Sequence, residues 1–280
     1  MTTIVLDEVL RRIHNLPSLP TVVMELLASI DQEDVNIDAL AQKIVQDQAL
    51  TAKTLRLANS SFYGMAFQVT TIQEAIAILG FRTVRSLATT AALIGTFASS
   101  SHTSLNVTPF WQHAIGAAVC ARELAVHLNL NPEYAYTAGL LHDIGRLVLV
   151  TQFQPHYEAT MIYRSLQDCH MVDAEQSVLG VDHAAVGYVL TRHWKFPEAM
   201  QQAVACHHAP QIQGMQPLSL VILAADVIAH VLDLSMDLDD LVPPVPEGLW
   251  NQLGLDEKKL LKVFENVEKQ FAGASLVLNP

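Results

Sequence analysis

The chain has 280 residues, 51% hydrophobic and 16% charged, with a net charge of -12. That length is ample for a sizeable core, and the acidic balance excludes a general nucleic-acid surface, because affinity for a phosphate backbone comes from clustered Lys and Arg. The longest stretch without formal charge, Ser86 to Ala121, is interrupted by Thr89, Thr90, the polar run 99–103 and Pro109, so no segment offers the ~18 unbroken apolar residues of a membrane span.

The first residues place acids ahead of the basic pair Arg11-Arg12 and contain no long apolar run, which is not how a secretory signal reads. Cys120, Cys169 and Cys206 are odd in number, widely spaced and form no C-x-x-C, the pattern of reduced thiols. The chain therefore reads as a cytoplasmic protein.

Taken in order, the apolar positions Val5, Val9, Leu10 and Ile13 predict a first helix, broken by Leu-Pro-Ser-Leu-Pro at 16–20. Pro20 suits the first turn of a second helix running to Ile30. Asn36 caps a third, to about Asp47, with Ile37, Leu40, Ile44 and Val45 inward. A fourth spans roughly Leu50 to Ser60, and Asn59-Ser60-Ser61 ends it. Thr71 and Glu74 form a capping box for a short fifth helix closed by Gly80, and a sixth runs from about Arg82 to Phe97. No convincing strand is present, and the turn residues around Gly64 make 67–71 a loop.

The Ser/Thr-rich stretch 98–108 reads as a surface connector between two helical halves. Pro109 opens a long helix through Leu128 that carries His113. The next enters after Pro132 and leads to His142, with Gly145 marking a break or a close approach. A helix over Pro155 to Asp168 follows. Asp173 and Asp182 both read as N-caps, the second for a helix carrying His183 and ending near Trp194. Pro197 starts a helix into His207 and His208, and Pro217 one that presents Asp226. From Asp233 to Glu257 there are seven acids and no Lys or Arg, then a final amphipathic helix over Lys258 to Phe271. The acidity reads as a solvated face.

The stretch Thr137 to Val150 sets His142 and Asp143 side by side in an otherwise apolar run. An ionised Asp removed from water costs several kcal/mol unless a cation or donors compensate it, and bundle-core metal sites collect such donors from facing helices. His113, His183, His207, His208 and Asp226 fall on further helices. Gly116, Ala117 and Gly187 near two of them would leave room for an ion. Imidazole and carboxylate donors without thiolates suit one or two ions of iron, manganese, zinc or nickel. Each residue also has an ordinary reading. A single helical His is more often hydrogen-bonded in a core or at a surface, Asp226 would pair with His230 one turn on, and His207 and His208 suit a helix C-terminus. Spacing leaves the two readings open; His14, His102, His127, His156, His170, His193 and His230 go to the ordinary ones.

The order H…HD…H…HH…D resembles the HD superfamily of metal-dependent phosphohydrolases, and its surroundings resemble the HDOD branch, an output domain of bacterial signalling proteins. The likeness runs from Leu16 to Val231. It rests on L-P-S-L-P (16–20), I-V-Q-D-Q-A-L-T-A-K-T-L-R-L-A-N-S-S-F-Y-G (44–64), I-Q-E-A-I-A-I-L-G (72–80), F-W-Q-H (110–113), G-L-L-H-D-I-G-R-L (139–147), D-H-A-A-V-G-Y-V-L-T-R-H-W-K-F-P (182–197), H-H-A-P (207–210) and A-A-D-V-I-A (224–229). It implies an all-α, two-lobed multi-helix fold with the HD-like helices in the second lobe; with the Ser/Thr-rich connector and the acidic tract as boundaries, the N-terminal lobe covers 1–98, the HD-like lobe 109–232, and an acidic appendage 233–280. It also implies His113, His142, Asp143 and Asp226 as metal ligands, with His183 and one or both of His207 and His208 at a second position. In that scheme Asp143 bridges the ions and orients the nucleophile, Arg146 contacts phosphate, and His207 or His208, if not a ligand, protonates the leaving oxygen. No GYP signature follows H-H-A-P and the usual Lys is Arg146, so cleavage of cyclic dinucleotides, as by the related HD-GYP enzymes, is not expected. The expected function is metal-dependent phosphoester hydrolysis in bacterial signalling, on a small phosphorylated ligand. The alternative is a non-catalytic scaffold for a signalling protein, with the metal structural.

Overall fold

The computed structural model describes residues 6–13, 19, 21–29, 35–59, 67–98, 107–237 and 240–278. The connector 99–106, most of the 16–20 motif, the turn around Gly64, and His14 and His102 lie outside them. The described residues are helical with no strand. None of their helices is long and apolar enough to cross a membrane.

The first half comprises α1 (Leu6–Ile13), α2 (Thr21–Ala28), α3 (Ile37–Gln46), α4 (Gln48–Ala58), α5 (Ile72–Leu79) and α6 (Phe81–Ala98). Several boundaries follow from capping. Asn36 accepts from the Ala39 N–H at α3, and Thr71 and Glu74 bond each other's backbone in a full capping box at α5. At the end of α4, Asn59 is structural: its amide donates to the Leu55 and Val69 carbonyls while its carbonyl accepts from the Val69 N–H. The inward face of α3 is narrower than expected. Leu40, Ala41 and Ile44 are buried, but Ile37 and Val45 are 41% and 46% exposed. Val45 lies about 40° beyond the buried arc at about 100° per residue. Ile37 is the first residue of the helix, with no preceding turn beside it.

The second half is organised around α7 (Val107–His127), which packs against α8 (Pro132–Leu141), α14 (Pro217–Val231) and α16 (Glu257–Ala274). Between α8 and α14 run α9 (Ile144–Gln152), α10 (Gln154–Gln167), α11 (Met171–Leu179), α12 (His183–His193) and α13 (Glu198–Cys206), and α15 (Leu249–Gln252) precedes α16. The middle of α7, from His113 to Ala121, is buried without interruption, so it faces helices on every side. Asp182 caps α12 by accepting from the Ala185 N–H at 2.8 Å. Asp173 does not cap α11. That helix begins two residues earlier, after His170, which leaves Asp173 in the first turn, where its charge meets the positive end of the helix.

The two halves meet through paired polar side chains as well as apolar ones. Between α6 and α8, Thr90 hydrogen-bonds Tyr136 at 3.0 Å and Ser86 donates to Glu133. Beside α12, Arg12 of α1 donates to the Gln152 carbonyl and stacks over the Phe153 ring at 4.2 Å. The C-terminal segment reaches both halves: Asn266 and Gln270 of α16 donate to Glu123 of α7, and the closing turn Ser275–Leu278 lies against α4, α6 and α7.

Candidate metal centre

Each donor sits where a helix begins, ends or crosses α7. His142 ends α8 and Asp143 opens α9, so the break falls at the pair itself and not at Gly145. Asp143 makes no capping bond; its carboxylate turns to the centre instead. His183 is the first residue of α12, His207 ends α13 with His208 beyond it, and His113 and Asp226 come from the interiors of α7 and α14.

These side chains converge on two adjoining groups, Asp143 with His183, His207 and His208, and Asp226 with His113 and His142, whose candidate ligand atoms lie within 4.8 Å of one another in each group. Asp143 Oδ1 is 3.0 Å from His183 Nε2, 3.4 Å from His207 Nε2 and 3.7 Å from His142 Nε2. Asp226 Oδ1 is 3.1 Å from His113 Nε2 and 3.4 Å from His142 Nε2. His142 thus borders both groups.

The arrangement fits a cation for three reasons. First, the Nδ1 atoms of three rings are engaged as donors: His142 to the Gly139 carbonyl, His207 to the Val204 carbonyl, both at 2.7 Å, and His183 to Glu175 at 2.5 Å. That turns their Nε2 atoms inward, where they would donate lone pairs once a cation displaces the protons that the neighbouring carboxylates favour on His142 and His183. Second, the ring nitrogens crowd, with Nε2 separations of 3.1 Å (His113–His142), 3.2 Å (His183–His207) and 2.9 Å (His183–His208). Adjacent ligands held at ~2.1 Å on one octahedral cation would stand about 3.0 Å apart. Third, both oxygens of Asp226 and Nδ1 of His113 are buried without a hydrogen-bond partner among the protein atoms. Such groups are costly unless something else satisfies them.

Charge agrees with geometry. Burial works against ionisation of Asp143, but His142 and His183 override it and hold the carboxyl well below the usual range. Asp226 is likewise held low against its burial, chiefly by the charge of His230, with His113 and His142 beside it. Burial, with His207 and His183 alongside, pushes His208 well below the ordinary imidazole value, so its ring is neutral and one of its nitrogens offers a lone pair.

Arg146 lies along the same wall. Its Nη1 donates to Asp143 Oδ2 at 3.0 Å and its guanidinium stands 5.8 Å from the Phe110 ring. The centre opens into a cavity of about 350 Å³ bordered by Arg146, Arg164, His208 and Asp226, with Leu241, Pro243 and Pro244 on the far side.

Two buried or partly buried residues of the centre, Glu175 and Asp240, escape the sequence reading, which takes His230 only as a pairing partner for Asp226. His230 lies 3.3 Å from Asp226 through Nε2 and 2.9 Å from Asp240 through Nδ1. The i, i+4 spacing of Asp226 and His230 is visible in the sequence, but Asp240 is hidden in the acidic tract, one of whose acids thus turns inward to this pair. Glu175, tied to His183, has no sequence signal. The glycines also differ from expectation. A Cβ at Gly187 would meet Val204 Cγ1 at 2.8 Å, and one at Gly116 would meet Leu234 at 2.8 Å, so both permit close packing of protein and neither leaves room for an ion. The cysteines take no part: all three are free, and no described thiol joins either group.

A profile of the HDOD domain family matches residues 16–210. In sequence, an uncharacterized protein of Treponema pallidum is 26% identical over 240 residues, 83% of this chain and 45% of that protein. Ribonuclease Y of Lactobacillus acidophilus is 25% identical over 162 residues, 57% of this chain and 23% of that enzyme. The chain spans less than half the length of these relatives. Among solved structures, an HDOD domain protein of unknown function from Geobacter sulfurreducens superposes with a TM-score of 0.80 at 23% identity, covering 97% of each chain. A provisionally named phosphohydrolase from Shewanella amazonensis gives a TM-score of 0.76 at 26% identity, covering 96% of this chain and 97% of that one.

Proposed function

The chain belongs to the HDOD domain family, and from that membership and the geometry of its centre we propose that it is a metal-dependent hydrolase of phosphoesters, acting on a small phosphorylated or nucleotide ligand in bacterial signalling. The observation that carries this reading is the convergence of seven donors, five from helix ends and two from the interiors of α7 and α14, with the Nδ1 atoms of His142, His183 and His207 tethered outward and their Nε2 atoms turned toward Asp143 and Asp226. The names of the phosphohydrolase and ribonuclease relatives favour the same bond type.

In this reading Asp226, His113 and His142 would hold one divalent ion and Asp143 with His183, His207 and His208 a second. Such ions supply Lewis-acid polarisation of a phosphoryl group and a water acidified to near neutral pH. Asp143, kept ionised by its imidazole neighbours, orients the attacking water through its carboxylate. Arg146, fixed at Asp143 through Nη1, lines the cavity, where its guanidinium would meet phosphate oxygens and, always charged, offset their negative charge. His208, at the cavity wall, would serve as a ligand or, if it is not one, as the acid for the leaving oxygen.

Metal analysis of the purified protein with a panel of phosphomonoesters, phosphodiesters and nucleotides tests the proposal. The expected result is one or two bound transition-metal ions with turnover abolished in His142→Ala and Asp143→Ala. Turnover surviving in a metal-free variant contradicts it. Metal without turnover of any phosphoester reduces the site to a structural one in a signalling scaffold.

A further inference from the structure

The buried carboxylate of Glu175 carries an inference that rests on the metal reading above and deepens it. Glu175 belongs to α11 and is fully buried. Its Oε2 accepts two hydrogen bonds from one residue, the backbone N–H of His183 at 2.8 Å and the ring Nδ1–H at 2.5 Å. Its Oε1 has no hydrogen-bond partner among the protein atoms. Helix capping accounts for the first bond alone, and Asp182 already caps α12. The second has a different consequence.

His142 and His207 lean their Nδ1 atoms on main-chain carbonyls, which are neutral acceptors. His183 leans on an anion. With Nδ1–H committed to Glu175, Nε2 is the nitrogen left for a cation, and it faces Asp143, His207 and His208 at 3.0, 3.2 and 2.9 Å. All three belong to the Asp143 group. A carboxylate behind an imidazole fixes its tautomer and ring angle and makes the opposite nitrogen a stronger donor to a cation.

We propose that Glu175 is a positioning residue for the cation position formed by Asp143, His183, His207 and His208, and that affinity there, but not at the His113–His142–Asp226 position, depends on its charge. Glu175→Gln keeps the size and a carbonyl for the backbone N–H but removes the anion behind Nδ1.

The test titrates the full chain, wild type and variants, with Co(II), followed by its visible absorption and by calorimetry. The expected result in Glu175→Gln is one of two binding events weakened by about 10–100-fold, with the other unchanged. Because Glu175 acts through His183, the double variant Glu175→Gln/His183→Ala should bind as His183→Ala alone. Equal weakening of both events, no weakening of either, or additive losses in the double variant would overturn the proposal. Should Glu175→Gln fail to fold, Glu175→Asp takes its place: it keeps the charge but draws the carboxylate back from Nδ1 by one methylene, and a smaller loss confined to the same event is expected. Wild-type protein that binds no Co(II) defeats the metal reading itself. Two binding events without phosphoester turnover defeat only the hydrolase reading and leave the role of Glu175 standing.

Discussion

Gly145→Ala is the sharpest perturbation the packing offers. A Cβ at Gly145 would stand 2.0 Å from the His183 carbonyl oxygen and 2.7 Å from the Gly187 nitrogen, both backbone atoms that cannot rotate aside. Ordinary contact begins near 3.4 Å, so α9 and α12 must part by about 1.4 Å. Overpacking of this kind costs roughly 1–3 kcal/mol, and rigid neighbours place it at the upper end. The gain of roughly 0.5–1 kcal/mol from replacing a helical glycine by alanine offsets part of it. The net loss of roughly 2 kcal/mol corresponds to a fall in Tm of about 3 °C for a chain of this length, since the unfolding entropy grows with the number of residues. The displacement also separates Asp143, two residues before Gly145, from His183, so metal at that position should fall with stability. Gly95→Ala is the control: only Lys53 Nζ, at 4.0 Å, approaches its Cβ, and the substitution should stabilise by roughly 0.5–1 kcal/mol. Melting curves with and without metal, and metal counts on both variants, decide the matter. A Gly145→Ala protein with wild-type Tm and full metal would refute the reasoning.

Further outcomes follow from the same geometry. Asp182→Ala removes the N-cap of α12 and should cost about 1 kcal/mol in thermal or urea unfolding, with weaker metal binding because His183 is the next residue. Adding a divalent ion at 100 times its Kd to chelator-treated protein should raise stability by about 2.7 kcal/mol for one site, read as an increase in Tm that EDTA reverses. His230, despite its burial, is pushed up to about 10 by Asp226 and Asp240. The stabilisation this provides to metal-free protein is complete below its unfolded value near 6.5 and is lost as the pH rises through about 10. His230→Gln should therefore lower the metal-free Tm most near pH 6 and least near pH 10; a difference that grows with pH would contradict the sign.

The fold was legible where local chemistry decides it. Asn36, Thr71 with Glu74, Asp182 and Pro132 mark helix starts by hydrogen bonds or fixed dihedrals that depend on a few adjacent residues. Asp173 misled because a carboxylate suits the first turn as well as the cap, and sequence alone does not separate the two. The candidate donors were legible because the order of His and Asp along the chain resembles a known family. Their outer partners were not. Glu175 reaches His183 from a different helix, Asp240 reaches His230 from a tract whose charge suggests solvent, and the glycines read as space when they are points of helix contact. Those relations exist only once α7, α9, α11, α12 and α14 are assembled.

Whether the converging histidines and aspartates hold cations is decided by anomalous X-ray diffraction at the metal edge from crystals of the protein grown with a divalent transition metal. An anomalous peak is expected within coordination distance of Asp143 and His183, and a second beside Asp226 and His113 when both positions are filled. Absence of any peak at saturating metal, with His113 and Asp226 turned away from the His142–Asp143 pair, would contradict cation binding.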